Sequence, residues 1–283
     1  MKIILAGAGG YLGGYLLKEL LKTNHDLLCL YGKTPLSHQN TEKATFISSY
    51  DPAYEKTVSE FRAETVINAV GVYDRLNTPV YKLTEGNVIF PLGLLNITMQ
   101  NGLKRWINSC TSLPQYLDTY TMSKYQLADW GKIYASRHDI TFVNVLLEHF
   151  YGPGDKEVKF ISFLLDKLRK NESIRLTSGR QRRDFIFIED VVKGYLTLLD
   201  APIEGYIDVP MGSGEDPKVR EVVEFLKEHT HSSSELLWGE IPLRKDEPMT
   251  SVADLTILES LGFTPEYDWQ TGMQKTISEV VKK

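Results

Sequence analysis

The segment Gly7-Ala8-Gly9-Gly10-Tyr11-Leu12-Gly13 most limits what this chain can fold into. It follows an apolar run at residues 2–6. It precedes residues 11–22, where Leu12, Leu16, Leu17, Leu20 and Leu21 recur at helical spacing. Glycines 7, 10 and 13 then have separate uses between a strand and a helix. Gly7 permits a tight turn, Gly10 lets backbone approach a pyrophosphate, and Gly13 allows the helix to pack closely on the strand. The first helical turn, with Tyr11 and Leu12, would face that anion with its amides. Glycines can also simply end a strand, but strand, triad and helix in this order point to a dinucleotide site.

Residues 27–31, 45–47, 65–70, 105–108 and 141–147 read as further strands, several of them continuous Val/Ile/Leu runs buried on both faces. Helical patterns at 53–61, 80–100 and 117–136 separate them. This alternation predicts an α/β fold, a Rossmann doubly wound parallel sheet. After Tyr151-Gly152-Pro153-Gly154 the texture changes. Helical pieces at 160–170, 190–199 and 218–229 alternate with short strands at 184–188 and 206–209. We expect residues 1–150 to form the dinucleotide domain. Residues 151–283 form mostly a smaller C-terminal substrate-binding lobe, with 183–200 packing back onto the first domain.

Of the 283 residues 42% are hydrophobic and 24% charged, enough to build a large core without staples. A formal charge of −5 argues against a nucleic-acid partner. No apolar stretch reaches the ~18–20 residues that span a bilayer, and no cleavable signal pattern opens the chain. The two cysteines, Cys29 and Cys110, lie in apolar runs, which fits a reducing compartment rather than a disulfide scaffold. A cytoplasmic enzyme without a metal is expected. His25, His38, His138, His229 and His231 lack ligand spacing.

An acidic residue at the end of the second strand would bond the ribose hydroxyl of NAD. The sequence there is Leu30-Tyr31-Gly32-Lys33, and Asp26 stands at the wrong end. NADP(H) is therefore the expected cofactor, with Lys33 as partner of its extra phosphate. Lys33 reads equally as a solvated turn lysine.

Tyr120 and Lys124 stand four apart at the start of a helical stretch, so both face one way. An ammonium beside a phenol favours the phenolate, which would lower the tyrosine's pKa and make it a proton donor near neutral pH. Upstream, a strand ends in Ser109-Cys110-Thr111-Ser112. Hydroxyls at a strand's carboxyl end lie where an open parallel sheet binds ligands.

With these features the chain resembles the extended short-chain dehydrogenase/reductase family that acts on nucleotide sugars, over essentially its whole length. The resemblance includes Asn68-Ala69-Val70-Gly71, Asn87, the segment from Glu148 to Asp155 through Tyr151-Gly152-Pro153, and the run from Arg183 to Val191. It is nearest to the CDP-abequose/CDP-paratose synthase type of 4-ketoreductase, whose deoxysugars enter lipopolysaccharide O-antigens. The resemblance implies that Thr111, seconded by Ser112, bonds the substrate oxygen and that Tyr120 is the acid. Lys124 holds the nicotinamide ribose, and Ala69, Val70 and Gly71 line the cofactor. His149, Lys159, Phe160, Arg183 and Arg244 would bind the nucleotide-diphosphate sugar. His149 also reads as a core histidine, and Arg183 as part of a solvated basic run. A homodimer through the Tyr/Lys helix is implied as well. Two departures stand out: Thr111 and Tyr120 are only nine positions apart, and Leu146 replaces a frequent arginine.

The resemblance implies NADPH-dependent reduction of the C4 ketone of a nucleotide-linked 4-keto-6-deoxy or 3,6-dideoxy hexose. The alternatives are a dTDP-4-keto-6-deoxyglucose reductase, a nucleotide-sugar 4-epimerase and a non-enzymatic NADP-binding scaffold. Dehydration is disfavoured because Ser112-Leu113-Pro114 follows Thr111 where dehydratases carry an acidic pair.

Overall fold

A computed structural model of the chain describes residues 1–33, 42–73 and 78–281. The first strands and helices follow the predicted alternation. They are β1 (Lys2–Ala6), α1 (Tyr11–Leu20), β2 (Asp26–Tyr31), β3 (Ala44–Ser48), α2 (Tyr54–Phe61), β4 (Thr65–Asn68), α3 (Val80–Thr84), α4 (Phe90–Met99), β5 (Arg105–Ser109), α5 (Thr119–Arg137) and β6 (Thr141–Leu147). Next come β7 (His149–Tyr151), α6 (Phe160–Arg169), β8 (Ile174–Leu176), β9 (Arg182–Arg183), β10 (Phe185–Phe187), α7 (Ile188–Leu199) and β11 (Tyr206–Met211). The chain ends with α8 (Val219–His229), β12 (Leu236–Trp238), β13 (Thr250–Ser251), α9 (Thr256–Ser260) and α10 (Trp269–Val281).

The chain divides into two compact units, Met1–Leu146 with Val192–Val209, and Leu147–Val191 with Pro210–Lys283. The returning segment is thus 192–209 rather than 183–200. Arg183 and Phe185–Phe187 stay with the second unit because β9 pairs with β13 and β10 with β7.

The first unit is built on a seven-stranded sheet ordered β11-β6-β5-β4-β1-β2-β3, in which β1 to β6 pair in parallel. The order reverses between β1 and β4, and ligands in such sheets bind outside the strand ends at that switch point. Ile3, Ile4, Leu5, Leu28, Val66, Ile67, Trp106 and Phe142 are fully buried. Each such side chain contributes roughly 1.5–3 kcal/mol by leaving water. Helix α5 lies close to β6 through Gly131, where a β-carbon would come within 2.4 Å of the Phe142 ring.

The helical pattern at residues 80–100 does not form one regular helix. Between α3 and α4 the turn Glu85–Ile89 is instead π-helical, and the Phe90 amide bonds the Glu85 carbonyl. Pro91 cannot donate to residue 87, so the ladder widens ahead of it. Strand β4 also stops at Asn68, not at 70, because the Asn68 side chain accepts the Val70 amide at 3.3 Å.

The second unit holds three parallel strand pairs, β7 with β10, β8 with β12 and β9 with β13. Buried Asp184 anchors it, accepting bonds from the Ser213 amide and hydroxyl and from the Gly214 and Ala253 amides. The Tyr151 hydroxyl donates to the Trp269 carbonyl at 3.1 Å and so ties α10 to β7.

Candidate active site

The glycine turn has the conformation its sequence requires. Gly7 has φ +85°, and a β-carbon there would lie 3.0 Å from the carbonyl carbon of Ala69 and the nitrogen of Val70. At Gly13 a β-carbon would be 2.0 Å from the Gly7 carbonyl oxygen, so helix and turn meet with no room for a side chain. Gly10 caps α1 in an extended conformation without a side-chain bond, and no acidic residue occupies the first turn. That end of α1 keeps its partial positive charge and fits an anionic pyrophosphate. A β-carbon at Gly71 would meet nothing within 4 Å, so sterics do not demand glycine there.

At the end of β2, Lys33 is exposed and its ammonium lies 5.2 Å from the centre of the Tyr50 ring. Asp26 opens β2, at the far end of the strand.

Asp118 caps α5 by accepting the Thr121 amide at 2.8 Å, and the Thr121 hydroxyl accepts the Asp118 amide in return. This capping box sets the first turn, which carries Tyr120, with Lys124 one turn further along. Lys124 is 2% exposed, and its ammonium donates to the Val70 carbonyl at 3.0 Å. Burial pulls its pKa down to about 8, and the nearby Cys110 opposes that shift only in part.

Tyr120 is half-buried, edge-on to Tyr73 with ring centres 4.7 Å apart. Its phenol is pushed well above its ordinary value by burial, with Tyr73, Cys110, Asp118 and Tyr195 adding to the rise. This corrects the expectation of a lowered tyrosine. Desolvation outweighs the ammonium, which is turned to the Val70 carbonyl. Tyr120 is held from behind. Its carbonyl accepts the Ser123 hydroxyl at 2.7 Å, and Ser123 accepts the Asn87 amide at 2.9 Å. Asn87 also clasps the backbone amide and carbonyl of Val72. A β-carbon at Gly86 would strike Val72, so the π-turn brings Asn87 in by its glycine neighbour.

At the end of β5, the Ser109 and Tyr195 hydroxyls are 2.6 Å apart. Cys110 is buried, and burial raises its thiol despite Lys124 and Asn144. Thr111 is nearly buried and its hydroxyl accepts the Leu113 amide at 3.3 Å. The Ser112 hydroxyl is buried with no partner among the described residues. Such a group costs about 1–3 kcal/mol until something bonds it, so it fits a polar ligand.

In the second unit Arg183 and Arg244 converge on Glu247. Arg183 donates to one carboxylate oxygen, and the Arg244 Nε donates to the other at 2.7 Å. Burial pushes the Glu247 carboxyl up, but Arg244 and Arg183 more than reverse this and hold it below its usual value. Arg183 is not part of a solvated run; it is buried and also donates to the Arg182 carbonyl at 2.7 Å. His149 is partly exposed, its Nδ1 3.6 Å from the buried carboxylate of Glu148. Lys159 caps α6 ahead of Phe160, and its ammonium lies 5.7 Å from the Phe150 ring centre.

Sequence reasoning missed Glu247, Glu148, Tyr73 and Tyr195. Glu247, three residues after Arg244, carried a readable signal; Tyr195, on α7, carried none. Among the described residues no group of three or more His, Cys, Asp or Glu could hold a metal, and no helix is long and apolar enough to cross a membrane. His38 lies outside the described residues.

A glycine turn feeding a helix, with a Tyr/Lys pair across the switch point of a parallel sheet, defines a dinucleotide-dependent enzyme class. The chain belongs to the NAD dependent epimerase/dehydratase family, whose sequence profile matches residues 3–209. It is 32% identical to the CDP-abequose synthase of Salmonella muenchen, over 98% of this chain and 97% of that one. It is 30% identical to the CDP-abequose synthase of Salmonella typhimurium, over 98% of each. Among solved structures the fold matches MoeE5 in complex with UDP-glucuronic acid and NAD at TM-score 0.86, with 21% identity over 100% of this chain and 99% of that one. The resemblance read from the motifs, and the α/β class with its parallel sheet, are thereby shown.

Proposed function

We propose that this protein is an NADPH-dependent 4-ketoreductase of a nucleotide-linked 4-keto-6-deoxy or 3,6-dideoxy hexose, of the CDP-abequose synthase type. The observation that carries the reading is the Lys124 ammonium, buried and aimed at the Val70 carbonyl in the turn that packs on Gly7. It stands in a chain similar over its full length to two CDP-abequose synthases. When bound, the nicotinamide supplies the hydride. Tyr120, kept neutral by burial, delivers its proton to the oxygen of the reduced ketone. Lys124 stabilises the phenolate left behind and holds the nicotinamide ribose. Thr111 and the unpartnered Ser112 hydroxyl orient the ketone. Gly7, Gly10, Tyr11, Leu12 and Gly13 hold the pyrophosphate, with Ala69, Val70 and Gly71 beside them.

In this reading the first unit binds the cofactor. The second binds the nucleotide-diphosphate sugar through His149, Lys159, Phe160, Arg183 and Arg244. Lys33, with no carboxylate at Tyr31 or Gly32, favours NADP over NAD. Trp130 and Ile133 leave apolar surface on α5 and line a groove with Met99 of α4, which supports a homodimer through these helices. A 4-epimerase is the second reading, favoured by epimerases of the same fold such as that of Thermus thermophilus in complex with NAD.

The test is NADPH oxidation over a panel of CDP- and dTDP-4-keto deoxysugars, with the product's C4 configuration read by NMR. Stoichiometric oxidation to an alcohol is expected. NADPH binding without turnover on any of them overturns the reading.

A further inference from the structure

Three asparagines cross the sheet of the first unit in one line. Asn68, Asn108 and Asn144, on β4, β5 and β6, are each 0% exposed and are neighbours in the strand register. The Asn68 amide donates to the Asn108 carbonyl oxygen at 2.9 Å, and Asn108 donates to Asn144 at 2.9 Å. Asn144 donates to the Asp208 carboxylate at 2.6 Å on the flanking strand β11. Asp208 is exposed and also accepts the Tyr206 hydroxyl at 2.6 Å.

The two ends of this row fix its direction. A carboxylate only accepts, so Asn144 must present its amino group to Asp208, and each amide behind it must align the same way. At the far end this leaves the Asn68 carbonyl oxygen facing the Val70 amide, which donates to it at 3.3 Å. Inverting the row would set an acceptor against an acceptor at Asp208 and a donor against a donor at Val70. Aligned amides in a dry environment also polarise one another, which strengthens the acceptor at Asn68.

Val70 is where the row meets the candidate site. Its amide is held by Asn68 and its carbonyl receives Lys124. Its nitrogen lies 3.0 Å from where a β-carbon on Gly7 would stand. The row also passes one residue below the hydroxyl cluster, since Asn108 precedes Ser109.

We infer that Asp208 is a positioning residue, which through Asn144, Asn108 and Asn68 fixes the Val70 peptide and thereby the place of the Lys124 ammonium. The kinetic arm of the test rests on the reductase reading; the other two arms do not.

Asp208→Leu removes the acceptor at an exposed position, and circular dichroism checks that the fold is kept. Asp208→Asn keeps an acceptor oxygen for Asn144, and Asn108→Leu cuts the row at its middle. Three quantities are read in each variant and in the wild type. They are exchange of the Val70 amide by mass spectrometry, the rate of Lys124 acetylation by acetic anhydride, and kcat against KM with NADPH and the keto-sugar panel. For Asp208→Leu we expect exchange at least tenfold faster and acetylation at least threefold faster. We also expect kcat at least tenfold lower, with both KM values within twofold, since small displacements of a positioned group cost rate steeply. Asp208→Asn is expected within twofold of wild type throughout. Asp208→Leu within twofold of wild type in both exchange and acetylation overturns the inference, as does Asp208→Asn impaired as much as Asp208→Leu. Altered exchange and acetylation in a wild-type background that oxidises NADPH with no keto-sugar uphold the inference and remove the reductase reading alone.

Discussion

Lys124 is held at a cost to stability, and its replacement by methionine measures that cost. The ammonium is 2% exposed, and its pKa falls from 10.5 in the open chain to about 8 in the fold, chiefly by desolvation. One pKa unit corresponds to 1.36 kcal/mol, so the charged form is disfavoured by about 3 kcal/mol in the folded state. The unfolded chain binds this proton more tightly, so between pH 8 and 10.5 it holds more protons than the native state, and stability rises with pH. Below pH 8 both states are charged and the full penalty is present. Lys124→Met removes the penalty but leaves the Val70 carbonyl without its donor, a loss of roughly 1–3 kcal/mol. Near pH 7 the variant should therefore equal the wild type or exceed it by up to ~2 kcal/mol, while activity is lost. From pH 8 to 10 the wild type should gain on it. The assay is urea denaturation followed by circular dichroism at pH 7, 8, 9 and 10. A variant less stable than wild type by more than ~1 kcal/mol at pH 7, with the same dependence above pH 8, would refute the reasoning.

Other substitutions probe separate parts of the molecule. Tyr120→Phe should bind NADPH as the wild type does in a fluorescence titration, yet lose about a hundredfold or more in turnover on the keto-sugar that proves to be the substrate. Lys33→Ala should weaken NADPH relative to NADH by roughly fivefold in steady-state KM, the ~1 kcal/mol of an exposed ion pair. Glu247→Ala leaves the buried Arg183 guanidinium without its counter-charge and should lower stability by about 3 kcal/mol, whereas Glu247→Gln should lose less; urea midpoints read the difference. Gly131→Ala forces a methyl against the Phe142 ring and should cost about 1–3 kcal/mol by the same measurement.

Most of the first unit was legible because its information is local. Alternating Val/Ile/Leu runs and leucines at helical spacing gave β1, α1, β2 and α5 to within a few residues. The glycine triad announced a turn whose contacts leave no space for side chains. What stayed hidden depends on register and distance. Asn68, Asn108 and Asn144 lie 36 to 40 positions apart and become a row only when β4, β5 and β6 align level. The short strands β8, β9, β12 and β13 exist only as pairs with distant partners, so no run of their own betrayed them. α10, with Gly272 against Tyr151, went unread for want of a clear apolar stripe.

The Tyr/Lys pair shows the division most sharply. Its four-residue spacing was plain, but its electrostatics were misread because they come from elsewhere in the chain. Burial raises the Tyr120 phenol and Tyr73 and Tyr195 add to the rise, while the Val70 carbonyl, 54 positions from Lys124, takes the ammonium. Burial pushes the phenol toward neutral and the ammonium toward neutral at once. A pair poised in this way gives up a proton only when developing negative charge nearby makes an ammonium worth keeping, and in the proposed reaction a ketone under reduction would supply that charge.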